Sequence, residues 1–198
     1  MKKIVLATGN RDKLFEIKNI WRGIDKEISW LGDYPEVKPA LETGRTLKEN
    51  ALLKASAVSS QLKETAVSDD TGLFVDYLNG DPGVFSSRFA GEEASYSDNV
   101  EKLLRELKGV SSEKRKARFI CLVCLISPGK DPVFTEGVLE GVITSEPRGI
   151  NGFGYDPVFE IESGRTLAEI DPAEKNAISH RYLAFKKMAD IITSGKIL

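Results

Sequence analysis

Two adjacent carboxylates, Asp69 and Asp70, follow the stretch Thr65 to Ser68, whose composition predicts a short strand. Neighbouring negative charges repel each other unless water solvates them or a cation binds them. In an extended chain they would point to opposite faces, so only one would enter a site. Alone, such a pair is also typical of a turn, and Thr71 and Gly72 directly after it fit that second interpretation.

A third carboxylate, Glu42, lies in the loop before the next predicted helix and could complete an oxygen shell with one of the aspartates. Magnesium typically takes one or two carboxylates, keeps several waters and binds substrate phosphates. The chemistry that these residues indicate is therefore magnesium binding beside a phosphorylated substrate.

A turn suited to phosphate lies between the strand pattern Ile4 to Ala7 and a helix. Backbone NH groups and the positive end of a helix dipole attract anions, a glycine allows close approach, and a lysine adds a full charge. In the other interpretation, Asn10 or Asp12 caps the helix and the lysine is merely exposed. The turn consists of Thr8, Gly9, Asn10, Arg11, Asp12 and Lys13.

An aromatic side chain, Phe153, is flanked by glycines in the segment Asn151 to Asp156, which includes Gly154 and Tyr155. An exposed ring in such a loop can stack on a nucleotide base. Equally, the ring of Phe153 could fold back into the core as part of a hairpin loop.

The only histidine, His180, lies between Ser179 and Arg181 where the last apolar pattern begins. Single histidines are mostly structural. With Ser179 as the N-cap, however, His180 and Arg181 would occupy the first helical turn, with Arg181 aimed outward toward a ligand. Lys175, four residues before Ser179, could approach the same place.

Composition narrows the class of protein. Thirty acidic and 28 basic residues give a net charge of -2 over 198 residues, which argues against nucleic acid as a partner. The basic run Lys114 to Arg118 is interpreted as a solvated connector. The longest apolar run, Phe119 to Ile126, is too short to span a membrane, and it contains Cys121 and Cys124, which we expect to be core thiols.

The elements that must position these residues alternate between strand and helix early in the chain. Thr46 and Glu49 form a capping box that predicts a helix from about Leu47 to Leu62. Later elements are a helix from about Asp98, strands at Phe119 to Ile126 and Val133 to Ile143 forming an antiparallel hairpin with bulges at Gly137 and Gly141, a strand at Pro157 to Ile161, and a closing helix. This order predicts an α/β fold with a mixed central β-sheet flanked by helices, in one domain over residues 1–198.

Taken together and in this order, the segments resemble the inosine triphosphate pyrophosphatase family over nearly the whole chain. Thr71 departs from the family, which commonly has serine there, but it keeps the hydroxyl. The resembling residues are Thr8-Gly9-Asn10 with Lys13 and Glu16, Glu42-Thr43-Gly44, Glu49-Asn50-Ala51 with Lys54-Ala55, Ser68 to Leu73, Pro82-Gly83-Val84 with Ser86 and Arg88, Gly152 to Pro157, Glu174-Lys175, and Ser179-His180-Arg181.

The resemblance implies a two-lobed molecule with a cleft between the lobes. It also implies that a triphosphate is held by Thr8 to Lys13, Lys54 and Lys175. Glu42 and Asp70 resemble the family's magnesium ligands, and Asp70 would also orient or deprotonate the attacking water. Attack at the α-phosphorus would release pyrophosphate and a monophosphate.

The resemblance also implies how the base is selected. His180 and Arg181 would donate to a 6-oxo purine, Asp156 would accept from it, and Phe153 would stack on it; Thr71, Gly154 and Tyr155 are further substrate-binding candidates. The implied protein is a homodimer that clears inosine, deoxyinosine and xanthosine triphosphates. Its localisation is inferred from the sequence itself: the apolar stretch Ile4 to Ala7 is too short for a signal peptide, which predicts a cytoplasmic protein. Two alternatives stay open: a Maf-like pyrophosphatase for other modified nucleotides, and a non-catalytic nucleotide-binding module, which would not need Glu42 or Asp70.

Overall fold

A computed structural model describes residues 3–195 of the chain. The strands are β1 (Lys3–Leu6), β2 (Glu27–Trp30), β3 (Thr65–Val75), β4 (Pro82–Gly83), β5 (Lys116–Ile126), β6 (Val133–Ile143) and β7 (Phe159–Glu160). The helices are α1 (Arg11–Ile20), α2 (Leu47–Leu62), α3 (Tyr96–Glu106), α4 (Pro172–Ile178) and α5 (His180–Thr193). Within residues 3–195 no helix is long and apolar enough to cross a membrane.

The strands form one sheet in the order β2-β1-β3-β5-β6-β7, with β4 paired to β3. Strand β1 runs parallel to both β2 and β3, whereas β4 pairs antiparallel with β3 and β7 pairs antiparallel with β6. The parallel pairs come from the early alternation of strand and helix, whereas the antiparallel pairs join strands whose connections contain no α-helix. The predicted mixed α/β fold is confirmed.

The chain divides into two compact units. The first unit comprises residues 1–70, 121–137 and 180–198, and the second comprises residues 71–120 and 138–179. In the first, Ile4, Val67 and Phe185 belong to buried apolar clusters around α1, α2 and α5. In the second, the core contains Leu103 and Phe159. Each unit therefore has apolar packing of its own.

Helix α2 begins at Leu47 and ends at Leu62, as its capping box predicts: Thr46 accepts from the Glu49 NH, and the Glu49 side chain bonds back to the Thr46 NH. Helix α3 begins at Tyr96, two residues before the predicted start, because Ser95 and Asp98 form a second capping box. Local capping chemistry determines both starts.

Strand β3 is longer than predicted, and the expected turn at Thr71 and Gly72 is wrong. The strand continues to Val75 because Leu73 and Val75 are buried in the second unit's core. Gly72 serves close strand pairing: a Cβ there would lie 2.5 Å from the carbonyl oxygen of Gly83 in β4. Asp69 and Asp70 therefore lie inside an extended strand and not at its end.

The basic run Lys114 to Arg118 is not wholly the solvated connector that its composition suggests. Arg115 is buried, and its guanidinium donates to the carbonyl oxygens of Leu107, Val110 and Thr144 at 2.8–2.9 Å. These bonds join the segment after α3, which carries Leu107 and Val110, to Thr144, which follows β6. The predicted strand at Pro157 to Ile161 is also shorter, because residues Asp156–Val158 form a 3-10 turn before β7.

Gly137 and Gly141 lie within the continuous strand β6, and bulges at these two positions stay a prediction. A Cβ at Gly137 would collide with the carbonyl oxygen of His180, and it would lie 2.6 Å from the Ala184 nitrogen. The absence of a side chain thus lets the backbone of α5 approach β6 closely. Cys121 and Cys124 are buried in different apolar clusters, which confirms them as core thiols.

Candidate active site

The turn between β1 and α1 is capped by its own residues. Asn10 is the N-cap, and its Oδ1 accepts from the backbone NH groups of Asp12 (2.9 Å) and Lys13 (3.1 Å). The Asn10 NH in turn donates to Thr8 Oγ1 at 3.2 Å. This confirms the capping interpretation for Asn10. Gly9 is exposed and its Cβ position is open, so a ligand can approach the backbone there.

Lys13 is anchored and not merely exposed, although its neighbours Arg11 and Asp12 are exposed. Its Nζ lies 2.8 Å from Asp69 Oδ2, and its side chain is 17% exposed. The ammonium is therefore fixed at the first turn of α1 by a carboxylate of β3. A phosphate near this turn would meet a lysine whose position is already set.

Asp69 is almost fully buried and has a second cationic neighbour, Arg181, whose Nε lies 3.7 Å away. The guanidinium of Arg181 also donates to Glu16 Oε2 at 2.5 Å. Burial favours the neutral acid, but Lys13 and Arg181 outweigh it and hold the pKa of Asp69 well below its usual range. Asp69 is thus a permanent anion within a structural ion network.

Asp70 points to the opposite face of β3, as the alternation of a strand requires. Its Oδ1 accepts from Lys54 Nζ at 2.8 Å, and its Oδ2 accepts from Asn50 Nδ2 at 3.2 Å. The same Lys54 nitrogen donates to Glu42 Oε1 at 2.9 Å. Lys54 therefore links both predicted magnesium ligands.

The electrostatics of this second cluster differ from those of Asp69. Burial raises the pKa of Asp70, and Lys54 offsets only part of that rise. Burial would lower the pKa of Lys54, but the charges of Asp70, Asp69 and Glu42 outweigh it, so the pKa of Lys54 is raised. Two adjacent aspartates thus have pKa shifts of opposite sign.

The donor set for a metal is small. Within residues 3–195 no three His, Cys, Asp or Glu side chains come together as a metal-binding group. A cation at Glu42 and Asp70 would therefore rely on two carboxylates, with water and substrate as further ligands. This donor set fits magnesium, which prefers oxygen and retains waters.

His180 and Arg181 are the first two residues of α5, as predicted, but the expected outward aim of Arg181 is wrong. Both side chains are buried, and the guanidinium is directed to Glu16 and Asp69 because two carboxylates stabilise a charge that could not be buried alone. Substrate contact by His180 and Arg181 stays a prediction.

A second cluster lies in the second unit around Phe153. The ring is half-buried and contacts the Tyr96 ring, with centroids 5.8 Å apart, and Lys175 Nζ lies 4.8 Å from its centroid. Asp156 Oδ2 accepts from Lys175 Nζ at 2.6 Å and from the Phe153 NH at 2.8 Å. Gly152, with φ +74°, allows this arrangement, since a Cβ would collide with the Asp156 carboxylate.

It is Tyr155, and not Phe153, that enters the core from this loop. Tyr155 is buried among apolar side chains, and its hydroxyl donates to the Ser86 carbonyl at 2.9 Å. Burial also raises the pKa of that hydroxyl. Gly154 takes a positive φ of 63°, and Thr71 is half-buried in β3. The loop thus anchors itself through Tyr155 and presents Phe153.

Known proteins are similar to this chain in sequence and in fold. The Ham1 family model matches residues 4–191. A dITP/XTP pyrophosphatase of Bacillus anthracis is 46% identical over 195 residues, covering 97% of this chain and 96% of that protein. A second dITP/XTP pyrophosphatase, from Thermoanaerobacter sp. (strain X514), is 48% identical over 191 residues, covering 96% of each chain. A HAM1 protein structure from Coxiella burnetii superposes with a TM-score of 0.90 at 41% identity, covering 98% of this chain and 100% of that one. The chain belongs to the Ham1 family.

This Ham1 site includes residues whose roles sequence reasoning missed. Asn50 is fully buried, accepts from the Gly44 NH at 2.8 Å and donates to Asp70, so it ties the loop after Glu42 to β3. Its signal is a polar residue within the apolar face of α2. Glu16 follows Lys13 by three residues and so shares its face of α1, where it binds Arg181. Tyr96 had no signal in the sequence.

Proposed function

We propose that this Ham1-family chain hydrolyses aberrant purine nucleoside triphosphates, namely ITP, dITP and XTP, to the monophosphate and pyrophosphate. Relatives of nearly half identity over almost the full length are named dITP/XTP pyrophosphatases. The two matches cover 97% and 96% of this chain and 96% of each relative. The physical support comes from the two aspartates of β3.

The observation that carries the proposal is the separation of Asp69 and Asp70 into two environments. Asp69 is locked as an anion by Lys13 and Arg181, and it therefore has little capacity to accept a proton. Burial raises the pKa of Asp70, so its carboxylate is the better proton acceptor of the two. Pairs of titratable groups whose environments move their pKa values apart indicate acid and base assignments.

In the proposed reaction, a carboxylate oxygen of Asp70 takes a proton from the attacking water. The water oxygen forms a bond to the α-phosphorus, and the bond from the α-phosphorus to the bridging oxygen breaks. Pyrophosphate leaves with that electron pair. Lys13, the turn Thr8 to Asp12 and Lys54 would bind the phosphate oxygens, which carry the charge in such reactions. Phosphate binding by Lys175, in the second unit, stays a prediction.

Magnesium is the proposed cofactor, held by Glu42 and Asp70. When bound, it would neutralise phosphate charge and polarise the phosphoryl group. The two carboxylates suit it because both already face one shared cation, Lys54, in the first unit. Asn50 would keep Asp70 oriented through the second carboxylate oxygen.

Selection of the base is proposed to involve Phe153 and Asp156. The half-buried Phe153 ring offers a stacking face, and Asp156 is a fixed acceptor for the N1 proton of a 6-oxo purine. Adenine has an acceptor at N1, so it would place one acceptor against another instead of donating to the carboxylate, which is costly in a buried site. Thr71, Gly154, Tyr155, His180 and Arg181 stay predicted contacts.

The test is an assay of pyrophosphate release over a panel of nucleotides with magnesium, on the parent and on Asp70→Asn. We expect the parent to prefer ITP, dITP and XTP over ATP, and Asp70→Asn to lower kcat by about 10²–10⁴-fold, the usual worth of a general base. Asp76→Asn is the control, since Asp76 pairs with Arg118 in an exposed ion pair. Turnover by Asp70→Asn within a few-fold of the parent would refute the assignment, and preference for other modified nucleotides would favour the Maf-like alternative.

Two further statements belong to the proposal. The enzyme is proposed to act in the cytoplasm, where it would meet the free nucleotide pool, and to be a homodimer, as the family resemblance implies. Light scattering coupled to size-exclusion chromatography measures the assembly directly: a mass of about twice 21.8 kDa supports the dimer, and a mass near 21.8 kDa contradicts it.

A further inference from the structure

The ammonium of Lys54 is the shared partner of the two carboxylates that the proposed function assigns to the metal. Its Nζ lies 2.9 Å from Glu42 Oε1 and 2.8 Å from Asp70 Oδ1. The Lys54 side chain is only 14% exposed, so these carboxylates replace much of its water. A lysine is a compact point charge on a flexible stem, which suits a cation that must both pair and move.

A metal ion bound by the same two oxygens would meet this ammonium at close range. Two cations cannot both keep short contacts to one pair of oxygens without strong repulsion in a partly buried site. Lys54 and the metal must therefore compete for Glu42 and Asp70. The free energy of metal binding then includes the loss of two charge-assisted hydrogen bonds of Lys54.

We propose that Lys54 is an internal counter-ion that stands in the metal's place, sets the affinity of the site for divalent cations, and is displaced when the metal binds. This inference rests on the proposed function, which names Glu42 and Asp70 as the metal ligands. The displaced ammonium becomes available for an anionic substrate group. Metal binding and phosphate binding are thereby coupled through one side chain.

The surroundings of Lys54 allow this exchange without loss of the site. Asp70 Oδ2 keeps its bond from Asn50, and Asn50 Oδ1 also accepts from the Gly44 NH in the loop that carries Glu42. The Asp70 carboxylate and the backbone of the loop that carries Glu42 therefore have supports that do not depend on the lysine. Removing the ammonium should leave the ligands in place but without a counter-charge.

The first experiment measures Mn²⁺ binding by electron paramagnetic resonance and Mg²⁺ binding by titration calorimetry in the parent, Lys54→Met and Lys48→Met. Lys48 is the matched control because it is an exposed lysine of the same helix, 4.7 Å from the Phe134 ring centroid. We expect Lys54→Met to bind Mn²⁺ at least about tenfold more tightly than both other proteins, because its buried carboxylates lack a partner. An equal or weaker affinity would overturn the proposal.

Thermal unfolding gives a readout that needs no substrate. Without divalent cations Lys54→Met should unfold at a lower temperature than Lys48→Met, and added Mn²⁺ should raise its Tm by more than it raises the Tm of the parent. If Mn²⁺ raises the Tm of Lys54→Met and the Tm of the parent by the same amount, the lysine does not compete with the metal.

A measurement on the unmodified protein covers the case in which Lys54→Met does not fold. Acetylation of lysines, read by peptide mass spectrometry, should increase at Lys54 when Mg²⁺ is added and should not change at Lys48. Unchanged or reduced labelling of Lys54 would contradict displacement. The double variant Glu42→Gln, Asp70→Asn tests the ligands separately: loss of Mn²⁺ binding there upholds the metal assignment, even if the two lysine experiments fail.

Discussion

Exchanging each aspartate of β3 for asparagine should have opposite consequences for stability. Asp69→Asn removes a charge from a side chain that is 1% exposed and lies 2.8 Å from Lys13 and 3.7 Å from Arg181. Breaking a buried ion pair from one side costs about 3–5 kcal/mol, because the opposite charges stay buried without compensation. Arg181 keeps its ion pair with Glu16, so we expect the loss of stability to lie at the lower end of this range, about 3 kcal/mol.

Asp70→Asn should be nearly neutral or stabilising. Burial raises the pKa of Asp70, so its ionised form lowers the stability of the folded state at neutral pH. Asparagine is uncharged, keeps an oxygen for Asn50 and leaves Lys54 paired with Glu42. Asp69→Asn and Asp70→Asn should therefore change the free energy of unfolding by amounts that differ by several kcal/mol.

The assay is urea unfolding at pH 7 and across the acid range without divalent cations. The pKa of Asp69 is lowered from 3.8, so its contribution is present above that value and is lost as the pH falls through the lower, folded-state pKa. The deficit of Asp69→Asn should consequently shrink below about pH 4. Equal losses for the two variants at pH 7, or a deficit for Asp69→Asn that is the same at pH 3, would refute this account of the two environments.

Three other predictions concern residues around the site and in the core. Cys121 and Cys124 should react with a thiol reagent only in denaturant, since both are buried and burial raises the pKa of Cys124 to about 12; rapid labelling of the native protein would contradict this. Asn50→Ala should weaken Mn²⁺ binding severalfold in calorimetry, because the loop and strand that it joins lose their common anchor, and an unchanged affinity would show that they are positioned otherwise. Tyr96→Ala should raise KM for ITP more than it lowers kcat, since Tyr96 supports the Phe153 ring, whereas Tyr96→Phe should not; equal effects of both variants would remove ring packing as the reason.

Local chemistry explains which parts of the fold could be predicted from the sequence. The start of α2 and its end at Leu62 follow from a capping box and an apolar period that operate within a few residues. The opposite faces of Asp69 and Asp70 follow from the period of a strand alone. Neither feature depends on what lies elsewhere in the chain.

The errors arise where distant residues decide the outcome. Thr71 and Gly72 have the composition of a turn, yet pairing with β4 and burial of Leu73 keep the strand extended. The sequence predicts that Arg115 is a solvated surface charge, but in the fold carbonyl groups from two separate segments surround its guanidinium. The sequence predicts an outward-pointing Arg181 side chain. In the fold its guanidinium is buried because it binds Glu16, which is 165 residues away in sequence. No local pattern contains these contacts.

The neighbouring aspartates show why a site of this kind can be built on a strand. Because side chains of a strand alternate with a period of two, consecutive residues have different surroundings. One carboxylate can therefore be paired permanently with cations while the next can exchange its partners. Lys13 and Arg181 serve the first purpose, and Lys54 serves the second. On a helix, adjacent residues would be about 100° apart and would share much of their environment. The strand geometry therefore provides, from two identical residues, one fixed structural charge and one carboxylate to which the proposed function assigns metal and proton chemistry.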